Sequence, residues 1–214
     1  MLKADLHVHT RYSMDSESSL EKIIARCTEI GINCIAIADH GTVEGALKLR
    51  KMAPFPVIVA EEILTPNGEI MGMFLEETIP SKQSIENVIK SIRDQGGLVS
   101  IPHPYDPFRG LKIDKDRFAE LKPNLDLVEV FNARCLVRGA LLKAKKLSDE
   151  LDIPGSAGSD AHTTSEIGNA YVEMPEFNDK DEFLSSLKQG IIKGHHSSIL
   201  VHLNSTIAKI KNLL

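Results

Sequence analysis

The chain has 214 residues, 42% hydrophobic and 26% charged, a composition that excludes a disordered chain. A formal net charge of -5 and an isoelectric point near 5.9 speak against electrostatic binding of long nucleic acid. Cys27, Cys34 and Cys135 form neither a CxxC pair nor a disulfide framework, and no apolar run suits a signal peptide or membrane span, so one soluble cytoplasmic domain over residues 1–214 is expected.

Leu2 to Val8 reads as a strand and ends in DLHVHT, Asp5 to Thr10. Side chains alternate along a strand, so Asp5, His7 and His9 are expected on one face and Leu6 and Val8 on the other. Ser18-Ser19-Leu20-Glu21 matches a capping box and opens a helix that should stop at Gly31. Cys34 to Ala38 is a short buried strand, and Thr42 is expected to cap a helix through Met52, ended by Pro54. Val57 to Leu64 and Ile70 to Leu75 are hairpin partners about the Pro66-Asn67-Gly68 turn. A helix from Ser84 to Gln95 is closed by Gly96-Gly97, then come a strand at Leu98–Ile101, a short helix at Arg117–Leu121 and a strand at Leu125–Phe131. A long helix is expected over Leu136–Leu151, strands over Ile153–Ala157 and Ala170–Met174, a helix over Asp181–Gln189 and a helical tail from Ser205.

This βαβα order argues for an α/β fold with a mostly parallel sheet. An eight-fold barrel takes about 250 residues, so a smaller or distorted barrel suits this length better. An open doubly wound sheet stays open as an alternative, but neither GxGxxG nor GxxxxGK[ST] is present, which weakens a nucleotide-cofactor reading.

Metal-capable side chains recur at strand ends. His7 and His9 end the first strand, His40 the second (IAIADH), and Glu62 lies near the end of the third (VIVAEEIL). His103 follows LVSI, and Asp160 and His162 follow IPGSA. In a parallel barrel all strand C-termini open at one mouth, so these residues should converge. With Asp15 they make eight candidates, too many for one ion and suited to two or three, with Glu62 a candidate bridge. Imidazoles and carboxylates without thiolates suit zinc, manganese or iron.

DLHVHT, ADH, EEI, HP and SDAH, in this order over essentially the whole chain, resemble the signature of the PHP (polymerase and histidinol phosphatase) family. The resemblance implies a distorted seven-stranded (β/α) barrel, two or three divalent metal ions (manganese, zinc or iron), and phosphoester hydrolysis by metal-activated water. It makes His7, His9, His40, Glu62, His103, Asp160 and His162 ligands, with Asp15 the nearest match to an aspartate that many relatives carry. Of the two glutamates, Glu62 rather than Glu61 fits the family context. One departure is Met71, at or near a place where many relatives have histidine; a thioether is a poor ligand for hard divalent metals, which puts the third ion in question.

Asp5 and Asp39 are placed to orient ligand histidines or cap turns, and Glu61 is expected to be solvated or salt-bridged. His195, His196 and His202 are expected at the surface. Arg11 and Arg134, each just past a strand end, are the phosphate-binding candidates, Asn132 is a neighbour, Arg138 a surface arginine, and Glu166 either supports the site or caps a turn. The expected substrate is a small phosphorylated metabolite or nucleotide. A 5′–3′ exonuclease on short oligonucleotides, an amidohydrolase-type enzyme and a non-catalytic metal-binding module are the alternatives.

Overall fold

Short apolar runs of the kind seen in CIAIA bury both faces of a strand, and the amphipathic runs between them bury one helix face each. The computed structural model describes residues 1–198, so His202 and the expected tail helix from Ser205 lie outside the described residues. In chain order the elements are β1 (Leu2–Val8), α1 (Leu20–Ile30), β2 (Cys34–His40), α2 (Glu44–Met52), β3 (Val57–Thr65), β4 (Gly68–Met73), α3 (Ile85–Asp94) and β5 (Leu98–Ile101). They continue with α4 (Lys115–Leu121), β6 (Leu127–Asn132), α5 (Arg138–Leu151), β7 (Gly155–Gly158), β8 (Ala170–Met174), α6 (Lys180–Lys188) and β9 (Ile191–Gly194). β9 was not expected; four residues carry too little periodicity to announce a strand.

The strands form one sheet in the order β7-β6-β5-β4-β3-β2-β1-β8-β9. The end of β7 then comes round to β1: Asp160 donates its N–H to the His7 carbonyl at 2.7 Å, and His9 donates to the Ala161 carbonyl at 2.9 Å. The result is a nearly closed, distorted barrel. The sheet is less parallel than expected. β1–β2, β2–β3, β5–β6 and β6–β7 are parallel, but β3–β4, β4–β5, β1–β8 and β8–β9 are antiparallel. The cause at β4 is local: the turn at Pro66-Asn67, with Gly68 at φ 123°, is too short for anything but a hairpin.

Two apolar layers flank the sheet. Leu2, Leu6, Ala36, Ala38, Ala60 and Met73 belong to one cluster, and small alanines suit the narrow side of a curled sheet. Ile35, Ile37, Val59 and Ile63 belong to the other, with Ile23 and Cys27 of α1, Leu49 of α2 and Ile92 of α3. Each fully buried aliphatic side chain contributes about 1.5–3 kcal/mol. Helix α1 starts one residue later than the capping-box match: Ser19 accepts from the Lys22 N–H, while the Ser18 hydroxyl donates to the His162 carbonyl. Gly31, at φ 75°, ends the helix. Helix α2 begins after Val43, and Thr42 instead accepts from the Glu44 N–H. No helix among the described residues is long and apolar enough to cross a membrane.

Candidate metal centre

The ends of β1, β2, β3, β5 and β7 present their ligand-capable side chains at one mouth. Asp5 and His7 do not share a face as alternation would have it, because the β1–β2 register shifts between Asp5 and Val8. Asp5 accepts N–H bonds from Ser159 and Gly168 at 2.9 Å each, whereas the His7 ring meets Glu62 and Glu129. Asp5 therefore ties β1 to the segment after β7 and touches no imidazole of the site. His103 and Asp160 sit at φ 25° and 55°, left-handed backbone that non-glycine residues adopt at a cost and that concentrates at functional sites. Gly158 is required: a Cβ there would lie 2.3 Å from the His7 Cβ.

The ligand atoms gather in overlapping sets, each within 4.8 Å: His7, His9 and Asp160; His7, Glu62 and His103; His9, Asp15, His40 and His162; and His40, Glu62 and Glu69. Asp160 Oδ1 is 3.3 Å from His9 Nε2 and 3.8 Å from His7 Nε2. The two oxygens of Glu62 face different imidazoles, Oε1 His103 at 2.9 Å and Oε2 His7 at 3.3 Å, His9 at 3.5 Å and His40 at 3.6 Å. Asp15 Oδ2 lies 3.3 Å from His162 Nε2 and 3.5 Å from His40 Nε2. All eight sequence candidates are thus brought together.

Met71 pairs directly with Glu62 across β3–β4 but packs in the apolar cluster. Glu69, two residues earlier in β4 and not singled out from sequence, supplies the carboxylate instead, with Oε2 3.6 Å from His103 Nε2.

These donors fit divalent cations. His9 Nδ1 and Nε2, His103 Nδ1, Glu69 Oε2 and Asp160 Oδ1 are buried and make no hydrogen bond among the described residues. Each such group costs about 1–3 kcal/mol unless something answers it. Burial, and then the neighbouring His162, pushes His9 down to about 4, which leaves it a neutral donor. Burial alone would raise Glu62, but His7 and His40 outweigh it and hold the carboxylate well below its ordinary range. Burial likewise opposes Asp160 ionisation, and Arg109 and His7 overcome it.

A second layer orients the first. Glu129, on β6, accepts from the His103 N–H and from Asn132 Nδ2 through Oε2, and its Oε1 is 3.1 Å from His7 Nδ1. That contact holds the ring with Nε2 turned to the cluster, the carboxylate–imidazole arrangement that raises ligand basicity. A lone acid in the apolar run LVEVF was the available sequence signal. Asp39 holds Thr10, the residue after His9, through the Thr10 N–H at 2.6 Å and hydroxyl at 2.7 Å. Glu166 caps the turn after His162, accepting from the His162 and Thr163 N–H groups. His162 Nδ1 lies 2.8 Å from the Asp160 carbonyl, and its Nε2 is turned to Asp15 at 3.3 Å. Glu61 is buried rather than solvated, with Oε2 accepting from the Ile79 N–H at 2.8 Å.

The arginines divide. Arg11 is exposed and lies over the Tyr12 ring, 5.9 Å from its centroid, and is not drawn into the cluster. Arg134 is buried, its Nη1 2.5 Å from His162 Nδ1 and its Nε 3.5 Å from Glu166 Oε1. Arg109, in a loop with no motif to flag it, pairs with Asp160. His195 and His196 are exposed. A separate cavity of about 1040 Å³ lies among α5, α6, β7 and β9, and no ligand-capable residue of the cluster lines it.

The family model for the PHP domain matches residues 5–92, and the PHP-associated model matches residues 138–191. An uncharacterized protein of Methanocaldococcus jannaschii is 42% identical over 145 residues, covering 62% of this chain and 82% of its own. A second from the same archaeon is 35% identical over 200 residues, covering 87% of this chain and 79% of its own. Among solved structures, a two-domain protein of Bacteroides vulgatus containing a predicted PHP-like metal-dependent phosphoesterase superposes with a TM-score of 0.72 at 15% identity. That match covers 91% of this chain, which spans 65% of the Bacteroides protein.

Proposed function

The chain belongs to the PHP family, and on that premise we propose that it is a metal-dependent phosphoesterase acting on a small phosphorylated metabolite or nucleotide. The observation that carries the reading is the convergence of His7, His9, Asp15, His40, Glu62, His103, Asp160 and His162, joined by Glu69, with buried ligand atoms left without partners.

His7, His9, Glu62 and Asp160 would hold one ion, Asp15, His40 and His162 a second, and His103 and Glu69 flank Glu62 where a third would sit. Divalent manganese, zinc or iron bound there would activate water and offset charge on phosphoryl oxygens. Burial of the carboxylates keeps them from being screened by bulk water, so their charge acts on the site at low dielectric. Glu129 fixes the orientation of the His7 ring, which preorganises that donor before substrate arrives. No serine, cysteine or aspartate nucleophile is assigned, and all three cysteines are buried.

A small substrate is favoured by the net charge of -5 and an aromatic content of 5%, which supply neither a basic track nor a stacking platform for a long strand. The test is elemental analysis of the purified protein combined with a panel of phosphomonoesters, phosphodiesters and short oligonucleotides under manganese, zinc or iron. Monoester turnover that disappears in His9→Ala and Asp160→Ala is expected. Turnover of oligonucleotides alone would move the reading to a nuclease, and of amides or lactones alone to an amidohydrolase. Full metal loading with no turnover of any ester would leave a metal-binding module.

A further inference from the structure

We propose that Arg109, rather than Arg11, engages the substrate's phosphate at the mouth of the metal cluster; this rests on the phosphoesterase reading above. Arg109 stands in the segment between β5 and α4, directly after the ligand His103. That segment is built rather than loose. Asp106 Oδ1 accepts the N–H groups of Phe108 at 2.9 Å and Arg109 at 3.2 Å. The Gly110 N–H returns to the Asp106 carbonyl at 2.9 Å, and a Cβ on Gly110 would lie 2.6 Å from that oxygen. The Lys112 N–H then binds the Asn67 carbonyl at 2.6 Å, pinning the segment to the β3–β4 turn.

The guanidinium is held from two sides. Nη1 donates to Asp160 Oδ2, and Nη2 donates to Asp106 Oδ2 at 3.4 Å. The other oxygen of Asp160 makes no hydrogen bond and faces His7 and His9. One carboxylate therefore joins the arginine to the residues that would hold the cations. A phosphoryl group drawn to cations held there would come within reach of the planar fork, which matches two of its oxygens at once.

Accessibility separates the three arginines near the mouth. The Arg134 side chain is 3% exposed and committed to His162 and Glu166. Arg11 touches no ligand residue, whereas the Arg109 side chain contacts a ligand and is still 28% exposed. Its remaining N–H donors have no protein partner among the described residues.

The test measures binding of inorganic phosphate by calorimetry to the manganese-loaded wild type, Arg109→Ala and Arg109→Lys, with metal stoichiometry and melting temperature determined for each. Phosphate affinity should fall about ten- to a hundredfold in Arg109→Ala and less in Arg109→Lys, which keeps a charge but loses the fork. Metal stoichiometry should be unchanged, and Arg109→Ala should raise KM for a phosphomonoester more than it lowers kcat. Phosphate affinity equal to wild type in a fully loaded Arg109→Ala overturns the inference and leaves the phosphoesterase reading intact. Loss of metal from Arg109→Ala overturns it in favour of a role in holding Asp160. A loaded wild type that binds no phosphate overturns both.

Discussion

Glu61 and Glu62 are adjacent in the chain and meet opposite environments. Glu62 faces four imidazoles, while Glu61 turns to the other side of β3 and accepts one N–H from Ile79. With no cation beside it, burial pushes Glu61 up from 4.5 to about 7. The folded protein then holds a proton there that the unfolded chain releases above pH 4.5. The stability tied to that proton is complete below pH 4.5 and is lost as pH rises through 7. Glu61→Gln should therefore flatten the decline in stability between pH 5 and pH 8 by up to about 3 kcal/mol, read from urea midpoints of chelated protein. Equal pH slopes in the two proteins would show that Glu61 is ionised in the fold. The family pattern singled out Glu62 from the pair, but the burial of Glu61 was not legible, because it depends on helices that cover the outer face of a central strand.

At the scale of elements, the site depends on how closely β7 approaches β1. Gly158 faces His7 with no room for a methyl group, and Asp160 and Ala161 bond to β1 just beyond it. Gly158→Ala must displace either the His7 ring or the strand. It should cost on the order of 3 kcal/mol and reduce metal content below that of the wild type, as measured by urea unfolding and elemental analysis. A fully loaded, equally stable variant would show that the strands part without consequence. The sequence pattern placed every strand except β9 to within a few residues, because alternation and turn residues are local signals. It missed the register shift in β1, which separates Asp5 from His7, and the amount of antiparallel pairing, since both come from neighbours distant in the chain. It also passed over Arg109, because an arginine between turn residues looks like any surface charge until Asp160 is beside it.

For the whole molecule, metal and fold should be coupled, since the ligand set draws on β1, β2, β3, β4 and the segments after β1, β5 and β7. Ions that bind only the folded state stabilise it by about 4 kcal/mol when free metal exceeds its Kd a thousandfold. For a domain of this size that corresponds to a melting temperature about 10 °C higher than in chelator. Calorimetry with manganese and with chelator checks this, and His9→Ala should lose most of the difference; an unchanged melting temperature in loaded wild type would mean that the cluster forms without linkage to folding. The sequence by itself determined the alternation of strands and helices, the family, and which eight candidate residues gather at one mouth, because these rest on residue type, order and short-range spacing. Only the tertiary structure decided that Glu69 joins the cluster where Met71 packs as core, that Glu129 meets the His7 ring, and that Arg109 rather than Arg11 reaches the cluster. The physical reason is that burial, partnership and direction are set by chain segments as far apart as Arg109 and Asp160, and no local pattern encodes that distance.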